Sequence, residues 1–183
     1  ERTAVKRIMT TISDSVSNIL VDINSQIMDQ SLTLFNFASG ETMDDPFECK
    51  ITSFADRYVN RIIQLELSSA LFAFLRLTSN PWKLIRLAAK ENLQLQQLVT
   101  TADEFIQNEG LSDKQMVEEI KFCALVCEAM NRRVLLNTIS PIFNALKLSD
   151  SLSGKRQKIL HHLTQIDLLP VELKLQVNPT FFD

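Results

Sequence analysis

The sequence has 183 residues, of which 45% are hydrophobic and 22% are charged, and its formal net charge is −3. This composition excludes a disordered chain, which would be less hydrophobic and more highly charged, and the negative charge argues against DNA as a partner. With only 3 Gly and 5 Pro there are few residues for tight turns, which favours helix over sheet.

The length of the chain, its first residues and its most apolar run indicate its domain organisation and its relation to membranes. A chain of this size predicts a single domain at residues 1–183, with a division into a long helix at 1–40 and a helix-pair array at 45–183 as the alternative. The chain begins at Glu1 without a signal-peptide pattern, which indicates a segment of a larger protein. The most apolar run, residues 70–75, ends at Arg76, so we predict no transmembrane span.

The N-terminal segment predicts one long amphipathic helix. Apolar residues recur with a 3.6-residue period from Val5 to Ile27, and Leu32 to Ala38 either continues this helix or forms a second one. After a loop at residues 39–45, Asp45 followed by Pro46 predicts a helix start. The buried stripe of that helix is predicted to include Phe47, Ile51, Phe54, Ala55, Tyr58, Val59, Ile62 and Ile63.

The middle of the chain predicts the centre of the core. Residues 68–77 are apolar almost all round, as in a helix that is enclosed by neighbours. Asn80 and Pro81 begin the next helical pattern, which ends at Gly110 and is either one helix or two that join near Asn92. Ser112 and Gln115 then form the pattern of a capping box and predict another helix, which extends to Met130.

The C-terminal part predicts three shorter helices. A helix at residues 134–148 contains Pro141, which predicts a kink or a break after Ser140. A polar loop at residues 149–154 precedes a helix at 155–166, and a last short helix is predicted at 170–177. The final residues, 178–183, are expected to be extended, and we predict no strand anywhere in the sequence.

Basic residues and one tryptophan are the candidates for contact with a partner or a phosphate group. They are Lys155, Arg156, Lys158, His162, Arg132, Arg133 and Trp82. On a helix, Lys155, Lys158 and His162 share one side. A solvated helix face is the alternative for the basic group, and packing of a helix entry onto the core is the alternative for the tryptophan.

No catalytic set, metal site or cofactor site is predicted. Cys123 and Cys127 lie four residues apart in an apolar pattern, which indicates buried reduced thiols and an intracellular protein, either cytoplasmic or mitochondrial. Their spacing to His161 and His162 differs from that of a zinc finger or ribbon. The sequence also lacks a glycine-rich phosphate loop and a nucleophile elbow, so we do not predict an enzyme.

A leucine-rich rhythm in the C-terminal two thirds carries a resemblance to a known family. The rhythm is set by Ile159, Leu160, Leu163, Glu172, Leu173, Val177, Pro179 and Phe181. These residues resemble the helical repeats of the FAST-kinase-domain family, which handles organellar RNA. The resemblance implies an RNA-binding helical array, although the family's C-terminal module is absent and the net charge of −3 departs from that expectation.

Together these patterns predict an all-α protein of roughly seven to nine helices, packed as an antiparallel bundle or a short helix-pair solenoid. The function that we expect is a scaffold that binds a protein partner. An organellar RNA-binding array is one alternative. A helical domain with an apolar cavity for a lipid or small ligand, suggested by the 11 Phe, is the other. The oligomeric state is not predicted.

Overall fold

In the computed structural model, which describes residues 2–38, 56–112 and 114–182, the chain is helical. Seven α-helices lie in these ranges: α1 Arg2–Ala38, α2 Arg57–Arg76, α3 Pro81–Ala89, α4 Leu93–Glu109, α5 Lys114–Asn131, α6 Leu135–Asn144 and α7 Asp150–Asp167. A 3-10 helix, Pro179–Phe182, follows them. The described residues contain no β-strand, so the all-α prediction is confirmed.

Helix α1 is a single helix of 37 residues, and it includes the segment 32–38 that was predicted either to continue it or to form a second helix. Its buried stripe is Val5, Ile12, Val16, Ile19 and Ile23. These β-branched residues have only moderate helix propensity. Their burial, worth about 1.5–3 kcal/mol for each side chain, is therefore what holds α1 in place.

Helix α2 begins at Arg57, because Asp56 acts as its N-cap. Asp56 has an extended backbone, and its carboxylate accepts hydrogen bonds from the amides of Tyr58 (2.7 Å) and Val59 (3.2 Å). The prediction of one continuous helix from Asp45 to Ile63 is therefore wrong at Asp56. The predicted start at Asp45 lies outside the described residues. Tyr58 is 56% exposed, so its predicted burial is also wrong.

The remainder of α2 joins two segments that were predicted to be separate. Ile62–Leu67 form a π-helical stretch, after which the amide of Ser68 donates to the carbonyl of Ile63. The α-helix then continues through Ser68–Arg76, where the predicted core position is confirmed. The buried residues of this part are Ser68, Ala70, Leu71, Phe72, Phe74 and Leu75.

The apolar face that extends from residue 84 to residue 105 belongs to two helices. Asn92 separates α3 from α4, and its side chain accepts a hydrogen bond from the amide of Leu95 (3.0 Å). Gly110 ends α4 with a φ of 64°, a left-handed conformation in which glycine is favoured. Of the two alternatives for this segment, the structure shows the pair that joins near Asn92.

Helix α5 packs against α2 in the core, and its ring contacts and burial account for this position. Phe122 packs against Phe72 of α2 with ring centroids 5.3 Å apart. The buried apolar residues of α5 are Ile120, Phe122, Cys123, Ala124, Leu125, Val126, Cys127, Ala129 and Met130. The predicted capping box of Ser112 and Gln115 depends on the Gln115 side chain, which lies outside what the structure describes.

Helix α6 continues through Pro141, so of the kink or break predicted after Ser140 the break is wrong, and the kink stays a prediction. An internal proline destabilises a helix by about 3 kcal/mol. Against this, α6 buries four apolar side chains completely, and each contributes about 1.5–3 kcal/mol. They are Leu135, Ile139, Ile142 and Phe143. The free energy gained by burying these side chains therefore exceeds the cost of the proline, and the segment stays helical through Pro141.

Helix α7 begins at Asp150, whereas a polar loop was predicted for residues 149–154. Ser149 is the N-cap, and its carbonyl accepts hydrogen bonds from the amides of Leu152 and Ser153, each at 3.0 Å. Gly154 lies inside the helix, where glycine is tolerated at about 1 kcal/mol relative to alanine. The polar composition of this segment was mistaken for that of a loop.

The C-terminal strap, residues 169–178, is not helical, so the predicted last helix is wrong. Side chains from two helices satisfy its backbone instead. Asn131 of α5 accepts from the amide of Leu175 (2.7 Å) and donates to its carbonyl (2.9 Å). Gln64 of α2 accepts from the amide of Asn178 (2.9 Å) and donates to the carbonyl of Gln176 (2.8 Å).

The residues after the strap also differ from the prediction. Pro179–Phe182 form the 3-10 helix where an extended end was expected. Asn178 precedes it, and its side chain accepts hydrogen bonds from the amide (3.1 Å) and the hydroxyl (2.6 Å) of Thr180. This local bonding favours a turn over an extended chain.

The helices form a bundle rather than a solenoid. In a solenoid each repeat contacts only its neighbours, but here α1 packs against both α2 and α7, which lie far apart along the chain. The 3-10 helix also contacts α2 and α5. One cluster of buried side chains extends from Ile12 in α1 to Leu175 in the strap.

No single helix in the described ranges is long and apolar enough to cross a membrane. One bent pair, Arg57–Arg76 with Pro81–Ala89 at 88°, meets the length and composition criteria together. The same two helices bury Leu71, Phe74 and Ile85 in the core of the bundle.

Candidate functional site

A groove of about 810 Å³ lies between α3 and the N-terminal half of α5. One wall comes from the start and outer face of α3: Asn80, Trp82, Lys83, Arg86, Leu87 and Lys90. The other wall comes from the loop before α5 and from α5 itself: Leu111, Ser112, Val117, Glu118 and Lys121. The groove therefore combines apolar side chains with several cations.

Local sequence chemistry fixes the position of α3. Asn80 accepts hydrogen bonds from the amides of Trp82 (3.0 Å) and Lys83 (3.2 Å), and Pro81 occupies the first helical position. Leu84 and Ile85 are buried on the inner side of the helix. The outer side is consequently turned towards solvent and the groove.

The floor of the groove is held by a network around Trp82. This side chain is 4% exposed, and its indole N–H donates to the backbone carbonyl of Glu118 (2.9 Å). The ammonium group of Lys121 lies 4.2 Å from the centroid of the Trp82 ring and is ion-paired with Asp103. Trp82 thus joins α3 to α5, and most of its surface is used in packing.

The rim of the groove carries three cations on one helical face. Lys83, Arg86 and Lys90 follow the spacing i, i+3, i+7, and all three are exposed. None of them forms an ion pair with a carboxylate that the structure describes. Leu87 lies among them and is 54% exposed, so it adds apolar surface to this charged face at the edge of the groove.

The predicted basic residues of α7 do not converge on one site. Lys155 lines a second cavity of about 630 Å³, together with Arg2, Lys6 and Ser149. Arg156 donates to the carbonyl of Phe143 (3.4 Å), so it is directed at α6 instead. Lys158 is exposed on α7.

The two histidines are adjacent, and His161 is exposed whereas His162 is half-buried. The ring centroids of His161 and His162 are 6.2 Å apart. Partial burial, together with the neighbouring His161, lowers the pKa of His162 below its ordinary value. His162 is therefore mainly neutral at neutral pH and adds little positive charge to this face.

The two predicted arginines lie at the end of α5 and have local roles there. Arg132 forms an ion pair with Glu128 at 2.9 Å, one helical turn earlier. Arg133 has a φ of 57°, and the amide of Val134 donates to the carbonyl of Ala129 (2.8 Å). This arrangement is a Schellman motif with an arginine in the position where glycine is most common.

The cysteines of α5 are core residues. Cys123 and Cys127 are buried and free of disulfides, as predicted, while Cys49 lies outside the described residues. A hydrogen bond to Cys123, together with burial, raises the pKa of Cys127 and keeps it a thiol. In the described ranges, no three histidine, cysteine or acidic side chains converge to hold a metal.

Sequence reasoning did not single out Lys83, Arg86 and Lys90 of the groove, and it placed Leu87 on the apolar face that starts at residue 84, whereas Leu87 is 54% exposed. Their signal was present, because three cations at helical spacing around a leucine differ from the alternating charges of an ordinary solvated face. What the sequence could not show was the opposite wall. Leu111 and Val117 lie opposite α3 because α3 and α5 both pack against α4.

Similarity to other proteins does not supply a function. Comparisons of the chain with protein-family models, with curated proteins and with solved structures found no match. The resemblance to FAST-kinase-domain repeats therefore stays a prediction.

Proposed function

We propose that this chain is a protein-interaction module, and that the groove between α3 and α5 binds a segment of a partner protein. The observation that carries the proposal is the exposed Leu87 at the edge of a preformed groove, on a helical face whose three cations form no ion pair with a described carboxylate. An apolar anchor surrounded by polar and charged groups is the usual composition of a protein interface.

The rigidity of the groove supports this proposal. Its walls are two α-helices, and the Trp82 hydrogen bond to Glu118 connects them directly. A groove that is already formed in the free protein loses less conformational entropy when a partner binds. Its occupant therefore does not need to open the core of the bundle.

RNA is the second candidate, because the same cations could contact phosphate groups. Two features favour protein over RNA. The one tryptophan is almost fully buried and presents no stacking face for a base. The apolar residues of the groove, Leu87, Leu111 and Val117, also have no role in contacting a phosphate backbone.

The test is a capture experiment that compares two exposed leucines. Leu87→Asp places a charge in the groove, whereas Leu168→Asp changes a residue that is 75% exposed and lies outside it. The protein and both variants are immobilised, exposed to cell extract with and without nuclease, and washed at two salt concentrations.

We expect nuclease-resistant capture of a protein by the unchanged chain and by Leu168→Asp, and its loss in Leu87→Asp. A photo-crosslinking amino acid at position 87 should then join covalently to the same protein. Equal capture by both variants would contradict the groove as the site. Capture that nuclease abolishes would favour RNA instead.

A further inference from the structure

The chemistry of the groove specifies the kind of segment that it binds. Resting on the proposed function, we propose that the occupant is an acidic amphipathic segment of a partner protein, with carboxylates along one side and apolar side chains beside them. Two properties of the described residues carry this inference, the distribution of charge and the position of the apolar wall.

Positive charge is concentrated in the groove although the chain as a whole has a net charge of −3. Lys83, Arg86, Lys90 and Lys121 line it, and Glu118 is the one carboxylate among its described lining residues. Of the four cations, Lys121 has Asp103 as a partner. The other three have no carboxylate within ion-pair distance among the described residues, so their charge is available to a ligand.

The spacing of these cations sets the spacing of the carboxylates that would match them. Lys83, Arg86 and Lys90 lie along one side of α3 and span about 10 Å of helix axis. Because like charges on neighbouring turns repel one another, an acidic segment beside α3 relieves that repulsion as it binds. A segment with carboxylates on successive turns, or on alternate residues of an extended chain, covers the same length.

The apolar wall excludes a purely acidic ligand. Leu87 is 54% exposed, and Leu111 and Val117 are half-buried on the opposite side of the groove. An apolar side chain that enters between them removes this surface from water, which contributes about 25 cal/mol for each Å² that is buried. Affinity therefore requires leucine-like residues next to the carboxylates, whereas a chain of carboxylates alone leaves the wall exposed.

The experiment is a selection from a display library of random peptides about twelve residues long, enough to cross the groove. Peptides are selected on the unchanged protein and counter-selected on Leu87→Asp, so that only groove-dependent binders remain. We expect these to be enriched in Asp and Glu together with Leu, Ile or Phe. The best binder, labelled with a fluorophore, is then measured by fluorescence anisotropy.

Charge-reversal variants test whether the cations recognise the acidic residues. Replacing Lys83, Arg86 and Lys90 together by Glu should weaken binding of the acidic peptide by about tenfold or more, and more strongly at low salt. Lys158→Glu, an exposed change on α7, should have no effect. The triple variant should bind a version of the peptide in which Lys replaces each acidic residue, which a misfolded protein would not do.

The outcomes separate this inference from the proposed function. Groove-dependent peptides that are neutral or basic would overturn the acidic partner but leave the interaction module in place. A selection that yields no Leu87-dependent peptide would overturn both. Displacement of the acidic peptide by a scrambled peptide of the same composition, at equal concentration, would show simple charge attraction and would also overturn the inference.

Discussion

Single residues decide where the helices of this chain end, and two glycines show opposite requirements. At Gly154, inside α7, an added Cβ would meet nothing within 4 Å, and the backbone is not left-handed. At Gly110 the φ of 64° strains any other residue except asparagine or aspartate. Gly154 therefore destabilises α7, whereas Gly110 is the residue type that the left-handed end of α4 favours.

Gly154→Ala should therefore raise the free energy of unfolding by about 0.5–1 kcal/mol, because alanine loses less backbone entropy in a helix. Gly110→Ala, the matched control, should lower it by about 1 kcal/mol. Thermal unfolding followed by circular dichroism measures both. If Gly154→Ala lowered the midpoint, the placement of this residue inside α7 would be wrong.

The histidine pair predicts a dependence of stability on pH. Since the pKa of His162 is lowered in the folded protein by burial and by His161, the unfolded chain takes up a proton first as the pH falls. Stability should be highest above the ordinary histidine pKa, and it should decrease as the pH falls towards the lower pKa of the folded state.

Thermal midpoints between about pH 8 and about pH 5 test this dependence. His162→Gln should flatten the curve, because the group that titrates is removed. His161→Gln should flatten it partly, since it removes the neighbouring charge but leaves the burial of His162 in place. A curve for His162→Gln that is parallel to that of the unchanged protein would contradict this origin.

The sequence predicted local chemistry better than it predicted burial. Asn80, Asn92 and Gly110 have the predicted positions, because N-caps and left-handed glycines depend on groups within a few residues. Tyr58 was misplaced because its apolar neighbours continue the periodic pattern, while the break at Asp56 turns the first residues of α2 outward. Periodicity alone does not show where a helix starts.

At the scale of elements, the C-terminal strap was the clearest error, and its signal was in the sequence. Residues 171–177 alternate between apolar and polar side chains, and Val171, Leu173 and Leu175 are buried while the residues between them are exposed. This period of two indicates an extended segment. What the sequence could not show is that Asn131 and Gln64, distant along the chain, supply the hydrogen bonds.

Asn131→Ala should release the strap. It leaves the amide and the carbonyl of Leu175 without their partner, which costs about 1–3 kcal/mol. Trypsin cleavage after Lys174, which is exposed, should become about tenfold faster, because cleavage follows the population of the open strap. Mass spectrometry of the released C-terminal peptide measures the rate.

The control for the strap is Asn137→Ala, an asparagine at an exposed position on α6. This change should leave the rate of cleavage after Lys174 unaltered. Gln64→Leu should act in the same direction as Asn131→Ala, because its amide group makes the other pair of hydrogen bonds to the strap. Equal rates in all the variants would show that burial of the leucines alone holds the segment.

At the scale of the whole molecule, the sequence predicted an all-α fold but did not decide between a bundle and a solenoid. Repeating helix pairs are equally compatible with a solenoid and a bundle, because both bury one face of each helix. The contact of α1 with α7 decides between them, because it joins helices from opposite ends of the sequence. The groove also depends on the whole molecule, since its two walls face each other only when α3 and α5 both pack against α4.

The shared core predicts that the bundle unfolds as one unit, and the single Trp82 in α3 allows this to be measured far from α1. Ile19→Ala removes a fully buried side chain from α1 and should lower stability by about 2–5 kcal/mol. In denaturant, the fluorescence of Trp82 and the circular dichroism should shift together to the same lower midpoint. Val21→Ala, at a position of α1 that is 65% exposed, should shift neither by more than about 0.5 kcal/mol. If Ile19→Ala moved the circular dichroism and left the transition of Trp82 in place, α1 would unfold separately, and the packing of α1 on α7 would not tie it to the rest of the core.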